Sequence, residues 1–187
     1  MAKFQMGVTL RPYDIKDTAR LGGSSGANPL AKEDNGKLVK LAGDSRYDMC
    51  AVGDKIEGIV QVSGDLVATF DGYVLGSVEN SHRTRFIALA DGSEAAGTGS
   101  IAVGDYVVAG TPVTKGTSLG TAAGPKVRKA TNQPGAAVTT ADNTKANIDI
   151  ALASLKDQMA NTVFAWRVMA ILSGTGAVGD KLLVERV

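Results

Sequence analysis

The tripeptide Val-Gly-Asp occurs three times in this chain, and it constrains the fold more than any other feature. It stands as Val52-Gly53-Asp54-Lys55-Ile56, Val103-Gly104-Asp105-Tyr106-Val107 and Val178-Gly179-Asp180-Lys181-Leu182. Gly takes the backbone angles that a tight turn needs, and an Asp side chain accepts hydrogen bonds from the turn's own backbone. The β-branched or Leu residues that follow suit a pleated, half-buried surface. Each phrase predicts a turn that launches a strand. The chain as a whole predicts a mainly β protein, a sandwich or barrel-like body of short antiparallel strands, whose conspicuous residues serve shape more than chemistry.

Size and charge narrow the possibilities. The 187 residues suffice for one good core or for two small subdomains. Gly is frequent, at 23 residues, and aromatics are few, at 5%, so turns are many and side-chain bulk is modest. With 20 basic and 19 acidic residues the net charge is +1, which gives no long-range attraction to a phosphate polymer and argues against a nucleic-acid partner. The densest basic stretch, Ser81-His82-Arg83-Thr84-Arg85, reads as a solvated strand end. Cys50 is the only cysteine, so no disulfide forms within the chain, and its apolar neighbours mark it as a buried, inert thiol. Met1-Ala2-Lys3-Phe4-Gln5-Met6 starts no secretory apolar stretch, and the longest apolar run, Val163 to Leu172, is broken by Arg167 and too short to span a bilayer. The expectation is a soluble protein made in the cytosol, with no membrane partner.

Along the chain, Lys3 to Leu10 alternates strictly, with Phe4, Met6, Val8 and Leu10 on one face. This predicts a half-buried strand that either joins its own sheet or serves as an arm that adds to a neighbour. Residues 17–36, which include Gly22-Gly23-Ser24-Ser25-Gly26, read as a loop or linker, dividing the chain into an arm-plus-linker segment (1–35) and a β-rich body (36–187). Within the body, strands are expected at 37–41, 55–62, 66–70, 73–78, 84–90 and 105–109, with Asp71-Gly72 as a hairpin turn and 91–100 as a connector. In the strand at 55–62, Ile56, Val60 and Val62 are expected on one face. Residues 116–141 read as an extended surface segment with one short strand near Val127-Arg128-Lys129.

One amphipathic α-helix is expected near residues 144–161. Ile148, Leu152, Leu155 and Met159 recur at steps of four, three and four, a single stripe expected to face the core rather than a neighbouring subunit. Asp142 or Asn143 caps its start. A C-terminal hairpin follows, with Trp166, Val168, Ala170 and Leu172 on its buried face.

The search for chemistry yields no catalytic, cofactor or metal residues. Gly174-Thr175-Gly176-Ala177-Val178-Gly179 matches G-x-G-x-x-G, but the dinucleotide fingerprint needs a following helix and a later acidic residue, and strand follows here. Gly22 to Gly26 lacks the Lys-Ser/Thr ending of a phosphate loop. His82 is the single histidine, sits in a polar turn, and has no Ser in a G-x-S-x-G elbow to serve. One His and one Cys do not build a zinc site. Asp54, Glu57, Asp65 and Asp71 read as turn-capping residues rather than a hydrolytic carboxylate pair. Phe4, Phe70, Phe86 and Phe164 fall on strand patterns facing inward, so no stacking surface for nucleic acid is visible.

The runs Gly36-Lys37-Leu38-Val39-Lys40-Leu41-Ala42-Gly43-Asp44 and Ala51-Val52-Gly53-Asp54-Lys55-Ile56-Glu57-Gly58-Ile59-Val60 have a strand, turn, Gly-Asp, strand layout. Val103 to Val113, Trp166-Arg167-Val168 and Gly179 to Val184 continue that style. In these stretches, roughly 36–113 and 163–187, the chain resembles the capsid decoration, or cement, proteins of tailed bacteriophage heads. Residues 114–162 fit no pattern of that family. The resemblance implies a non-enzymatic virion protein on the capsid exterior, made in the host cytoplasm. It would act without cofactors as a homo-oligomer, a trimer above all, and clamp subunits of the major capsid protein. On that reading Phe4, Met6, Val8 and Leu10 form a subunit or capsid contact. Two other classes stay open. One is a different β-type virion component, such as a fibre base or tail protein. The other is a carbohydrate-binding β-sandwich using Tyr13, Tyr47, Tyr73 or Tyr106 as platforms.

Overall fold

The computed structural model describes residues 17–21, 30–42, 46–61, 69–70, 73–93, 97–120, 124–134, 136–138, 140, 142–162 and 165–187. Among these residues the chain is mainly β with one α-helix, as its patterning predicts. The first half carries β1 (Asp17–Leu21), β2 (Leu38–Ala42), β3 (Arg46–Met49), β4 (Gly58–Gln61), β5 (Thr69–Phe70) and β6 (Tyr73–Glu79). The second half carries β7 (Arg85–Ser93), β8 (Tyr106–Ala109), β9 (Lys126–Lys129), α1 (Lys145–Thr162), β10 (Trp166–Ile171) and β11 (Lys181–Arg186).

The two halves share one topology. In the second half, β10-β11-β7-β9-β8 closes into a barrel through the pairing of β8 with β10. In the first, the order is β1-β3-β2-β4-β6-β5, and β1 also pairs with β6, which brings this sheet round on itself. Each ring begins with a strand parallel to the third of its set: β1 beside β3, β7 beside β9. The remaining neighbours are antiparallel in the same sequence, β3–β2–β4–β6–β1 and β9–β8–β10–β11–β7. The short β5 is an addition to the first ring. Ring closure leaves few open strand edges, the usual liability of short-stranded sheets.

The barrel core gathers Phe86, Ala88, Ile101, Val107, Val127, Trp166, Val168, Leu182 and Val184. Trp166 meets Phe86 edge-on at a centroid distance of 5.0 Å, and its indole N–H donates to the Ile56 carbonyl at 3.0 Å. Leu38 and Ile59, direct partners across β2 and β4, also enter this core. Their neighbours Val39 and Val60 point the opposite way and pack with Leu21, Leu30 and Val78. The two-residue period of a strand thus sends adjacent side chains into two different cores and welds the rings together. Gly76 admits Leu21 to that second core, because a Cβ there would lie 2.3 Å from the Leu21 side chain.

The Val-Gly-Asp phrases prove to be one device used three times. Each is preceded by Ala, and each forms a turn in which the Asp N–H donates to the Ala carbonyl, at 3.2, 3.2 and 3.0 Å for 51–54, 102–105 and 177–180. The glycines have φ of 82°, 93° and 95°, values that favour a residue without Cβ. In every copy the Asp carboxylate accepts the Ala N–H, at 2.6, 2.7 and 2.9 Å. In every copy the Gly N–H and the Asp carbonyl close on the backbone of a single barrel residue: Ala109, Val168 and Ala90 respectively. The residue two positions after each Asp (Ile56, Val107, Leu182) is buried in the barrel core. The phrase is therefore a clamp: a turn, two hydrogen bonds to a neighbouring chain segment, and one apolar anchor.

Several expectations need correction. Residues 17–36 are not all loop, since β1 lies there with Leu21 fully buried, and Lys32–Asp34 form a short 3-10 turn. The strand expected at 55–62 begins only at Gly58, and Ile56 and Val60 serve different cores. The strand expected to stop at Ala90 runs to Ser93 through a register shift. In β10 a register shift between Val168 and Ala170 breaks the alternation, so Ile171 packs on the core while Leu172 is exposed. One extra residue in a ladder turns every later side chain to the other face. The largest correction concerns α1. Its stripe does not face the core, because Ile148, Leu152, Leu155 and Met159 are all exposed. Among the helix positions whose burial is described, Gln158, one position before Met159, is the one that is buried.

Candidate functional site

The motifs that most suggest chemistry are occupied by their own chain. The G-x-G-x-x-G segment is the β10–β11 hairpin loop, and the N–H groups of Thr175, Gly176 and Ala177 all point at one Asp180 carboxylate oxygen, at 2.8, 2.9 and 2.9 Å. A fan of backbone N–H groups is an anion-binding concavity. Here the anion is built in, and a Cβ on Gly174 would lie 2.1 Å from that carboxylate. The loop is followed by a strand rather than a helix, and its N–H groups are already taken by Asp180.

Asp54 and Asp105 follow the same rule. Asp54 accepts from Ala51 and pairs with Lys40 at 2.6 Å, a hydrogen bond that raises the Lys40 pKa despite partial burial. Asp105 pairs with Lys129 at 3.1 Å. Asp65 and Asp71 lie outside the described residues. Cys50 is 3% exposed, and burial, followed by the nearby Asp54 charge, pushes its thiol up, away from the reactive thiolate. His82 sits exposed in the 82–83 turn. Among the described residues, no group of three or more His, Cys, Asp or Glu side chains is placed to hold a metal ion. Among the same residues, no helix is long and apolar enough to cross a membrane.

Two polar centres escaped sequence reasoning. At the first, Asp91 sits at the register shift of β7, where its carboxylate accepts the Thr111 N–H and hydroxyl at 2.9 Å each and the Arg128 Nε–H at 2.8 Å. Burial pushes this carboxyl up, but the Thr111 backbone, Arg128 and the Thr111 hydroxyl together hold it below the usual carboxylate range. At the second, Lys37 and Asp34 form a buried ion pair at 2.7 Å. Lys37 also donates to the Thr114 carbonyl and Asp34 accepts the Gly116 N–H, both at 2.7 Å. These centres pin residues 111–116 to β7, to Arg128 of β9 and to the 34–37 turn. Asp91 sits in a stretch that reads as connector, and Asp34 in one that reads as turn, so local pattern gave neither a partner. Glu185 pairs with Arg85, and Arg186 donates to the Asn80 carbonyl, fastening the last strand to the 79–85 bend.

Large apolar side chains are exposed as well. The turn tips Val52, Val103 and Val178 are exposed, and so are Ile148, Ile150, Leu152, Leu155 and Met159 on α1. Of the tyrosines, Tyr47 packs against the Leu21 cluster and Tyr106 is half-buried, so neither offers an open platform for a sugar ring. Tyr13 and the proposed contact residues Phe4, Met6, Val8 and Leu10 lie outside the described residues, and so do Phe164 and the turn Asp71-Gly72. Phe86 faces inward as its pattern predicts. Fold and surface together define a class: a two-ring β scaffold whose turn carboxylates are engaged internally and which exposes large apolar side chains on its turn tips and helix. Comparison with protein-family models, with curated proteins and with solved structures finds no match for the chain.

Proposed function

We propose that this chain is a non-enzymatic virion structural protein that binds the outer surface of a phage capsid and stabilises the shell by bridging subunits of the major capsid protein. The observation that supports the reading is the disposition of its side chains. The carboxylates and the glycine-rich loop that would suit catalysis or cofactor binding hold the scaffold's own turns. Of the eleven exposed large apolar residues among the described ones, eight lie on one helix and on three like turns. A ligand that binds only the assembled shell stabilises it by mass action, and many copies on a symmetric surface multiply the effect. A rigid clasp with closed strand rings is suited to that task, because little is lost in ordering it on contact.

The test is direct. Purified chain is mixed with empty shells of the major capsid protein from the same genome. Saturable co-sedimentation and a raised shell melting temperature are the expected results, with a truncation lacking residues 2–10 attaching more weakly while its body stays folded. Failure to co-sediment at any concentration, or turnover in a hydrolase panel abolished by one side-chain change, overturns the proposal.

A further inference from the structure

The helix α1 is mounted backwards for a core helix. Its positions 147, 151, 154 and 158, spaced four, three and four, are the ones turned toward the body: Asn147, Ala151 and Ser154 are half-buried and Gln158 is buried. This face is small and polar. Ser154 donates to the Asn132 side-chain oxygen at 3.2 Å, Asn132 donates to Asp157 at 3.2 Å, and Gln158 donates to the Ala136 carbonyl at 3.0 Å. The adjacent row, one residue on, is the apolar stripe, with exposures of 48% for Ile148, 49% for Leu152, 46% for Leu155 and 62% for Met159. A helix attached through polar contacts with its large apolar residues outward leaves its main driving force unspent.

The stripe has the spacing of a two-helix seam, in which alternate four- and three-residue steps place every knob against a facing helix. Its flank carries the information on partner and direction. Asp149 and Lys156 are seven residues apart on the same edge of the seam, both exposed. When two such helices run antiparallel, Ile148 layers with the partner copy's residue 159 and Leu152 with residue 155. That register lays Asp149 beside residue 156 of the other copy, and the two-fold axis repeats the opposite-charge pair. When they run parallel, position 149 meets Thr144 and position 156 meets Ala151, and the charges find nothing. Asp149 is held meanwhile by Lys145 in an exposed i,i+4 pair, a weak contact easily exchanged. We infer that α1 is a self-association surface: it pairs antiparallel with α1 of a second copy, through the Ile148–Leu152–Leu155–Met159 seam flanked by reciprocal Asp149–Lys156 pairs. This inference stands on the helix alone and holds whatever the chain attaches to.

Light scattering and sedimentation of the full chain at micromolar concentrations test it. Leu152→Glu/Leu155→Glu is expected to halve the particle mass. Asp149→Lys and Lys156→Asp each place like charges along the seam, and each alone is expected to halve the mass too. An equimolar mixture of those two single variants restores both opposite-charge pairs and is expected to recover the original mass, as is the double exchange in one chain. Near-ultraviolet circular dichroism and the emission of Trp166, buried in the barrel, confirm that each variant's body is folded. An unchanged mass for Leu152→Glu/Leu155→Glu overturns the seam. Charge reversals without effect, or a mixture that stays at half mass, overturn the antiparallel register. A mass that falls only when residues 2–10 are removed assigns the contact to the N-terminal strand and overturns the proposal as well.

Discussion

The barrel and the helix were written in the same language and put to opposite use. Both carry apolar residues at the period of their secondary structure, two in the strands and between three and four in the helix. In the barrel the periodic face is inward: Phe86, Ala88 and Ala90 on β7 and Leu182 and Val184 on β11 are buried. In α1 the periodic face is outward, while the packed face is Asn147, Ala151, Ser154 and Gln158. Periodicity thus identifies an element and its apolar side. What covers that side is decided by tertiary topology. A ring that closes through β8 and β10 completes its core without the helix, which leaves α1 as an appendage on the 130–138 segment.

That contrast breaks first if the barrel is not the seat of stability. Trp166→Ala removes the largest buried side chain, its edge-on contact with Phe86 and its bond to Ile56. The expected loss is about 3–5 kcal/mol, read from urea unfolding. A loss below about 0.5 kcal/mol, the ordinary scale for substitutions away from a core, would move the main core elsewhere. Next come the three clamps. Asp180 satisfies three N–H groups, whereas Asp54 and Asp105 each satisfy one and pair with half-exposed lysines. Asp180→Ala is expected to cost about 2 kcal/mol and the other two Ala variants about 1 kcal/mol each. Equal losses at the three sites would show that the turn's backbone bonds, not its carboxylate, carry the clamp.

A smaller effect depends on pH. The folded Asp91 carboxyl lies below its ordinary value, so the folded protein binds that proton less readily than the unfolded chain does. The associated stabilisation is complete above the unfolded value of about 3.9 and disappears as pH falls through the lower folded value. Asp91→Asn is therefore expected to lose stability at neutral pH and to show a shallower decline than the parent as pH is lowered from about 4. Parallel stability curves for the two proteins across that range would remove Asp91 from the acid transition.

Much of the scaffold is legible in the sequence because its signals are local. The Val-Gly-Asp turns, β9 at Lys126–Lys129 and the C-terminal hairpin each follow from adjacent residues, and α1 from its spacing. The departures have non-local causes. β3 (Arg46–Met49) is half-exposed and polar, so its strand character comes from pairing with β2 and β1 and not from its own composition. The register shift after Val168 reverses a face that simple alternation predicts. Asp91 and Asp34 gain their meaning from Thr111 and Gly116, residues 20 and 82 positions away. The repeated strand order of the two rings leaves little trace in residue identity, because ring closure needs only alternating apolar positions that many sequences supply. The surface reading divides in the same way: that α1 has an apolar stripe follows from spacing, and that the stripe is exposed follows from the tertiary packing.

The smallest expected effect is the sharpest check on the comparison. Leu155→Ser removes an apolar side chain from the helix, and Val168→Ala removes two methyl groups from the barrel. On composition alone the first is the more drastic change. With Leu155 46% exposed and Val168 fully buried, the order should invert. Measured at a dilution where the chain is dissociated, Leu155→Ser is expected to stay within about 0.5 kcal/mol of the parent. Val168→Ala is expected to cost about 1–3 kcal/mol, as deletion of buried methyl groups does. If Leu155→Ser proves the more destabilising of the two in the dissociated chain, then α1 packs its stripe against its own body in solution, and the contrast between an inward barrel and an outward helix fails.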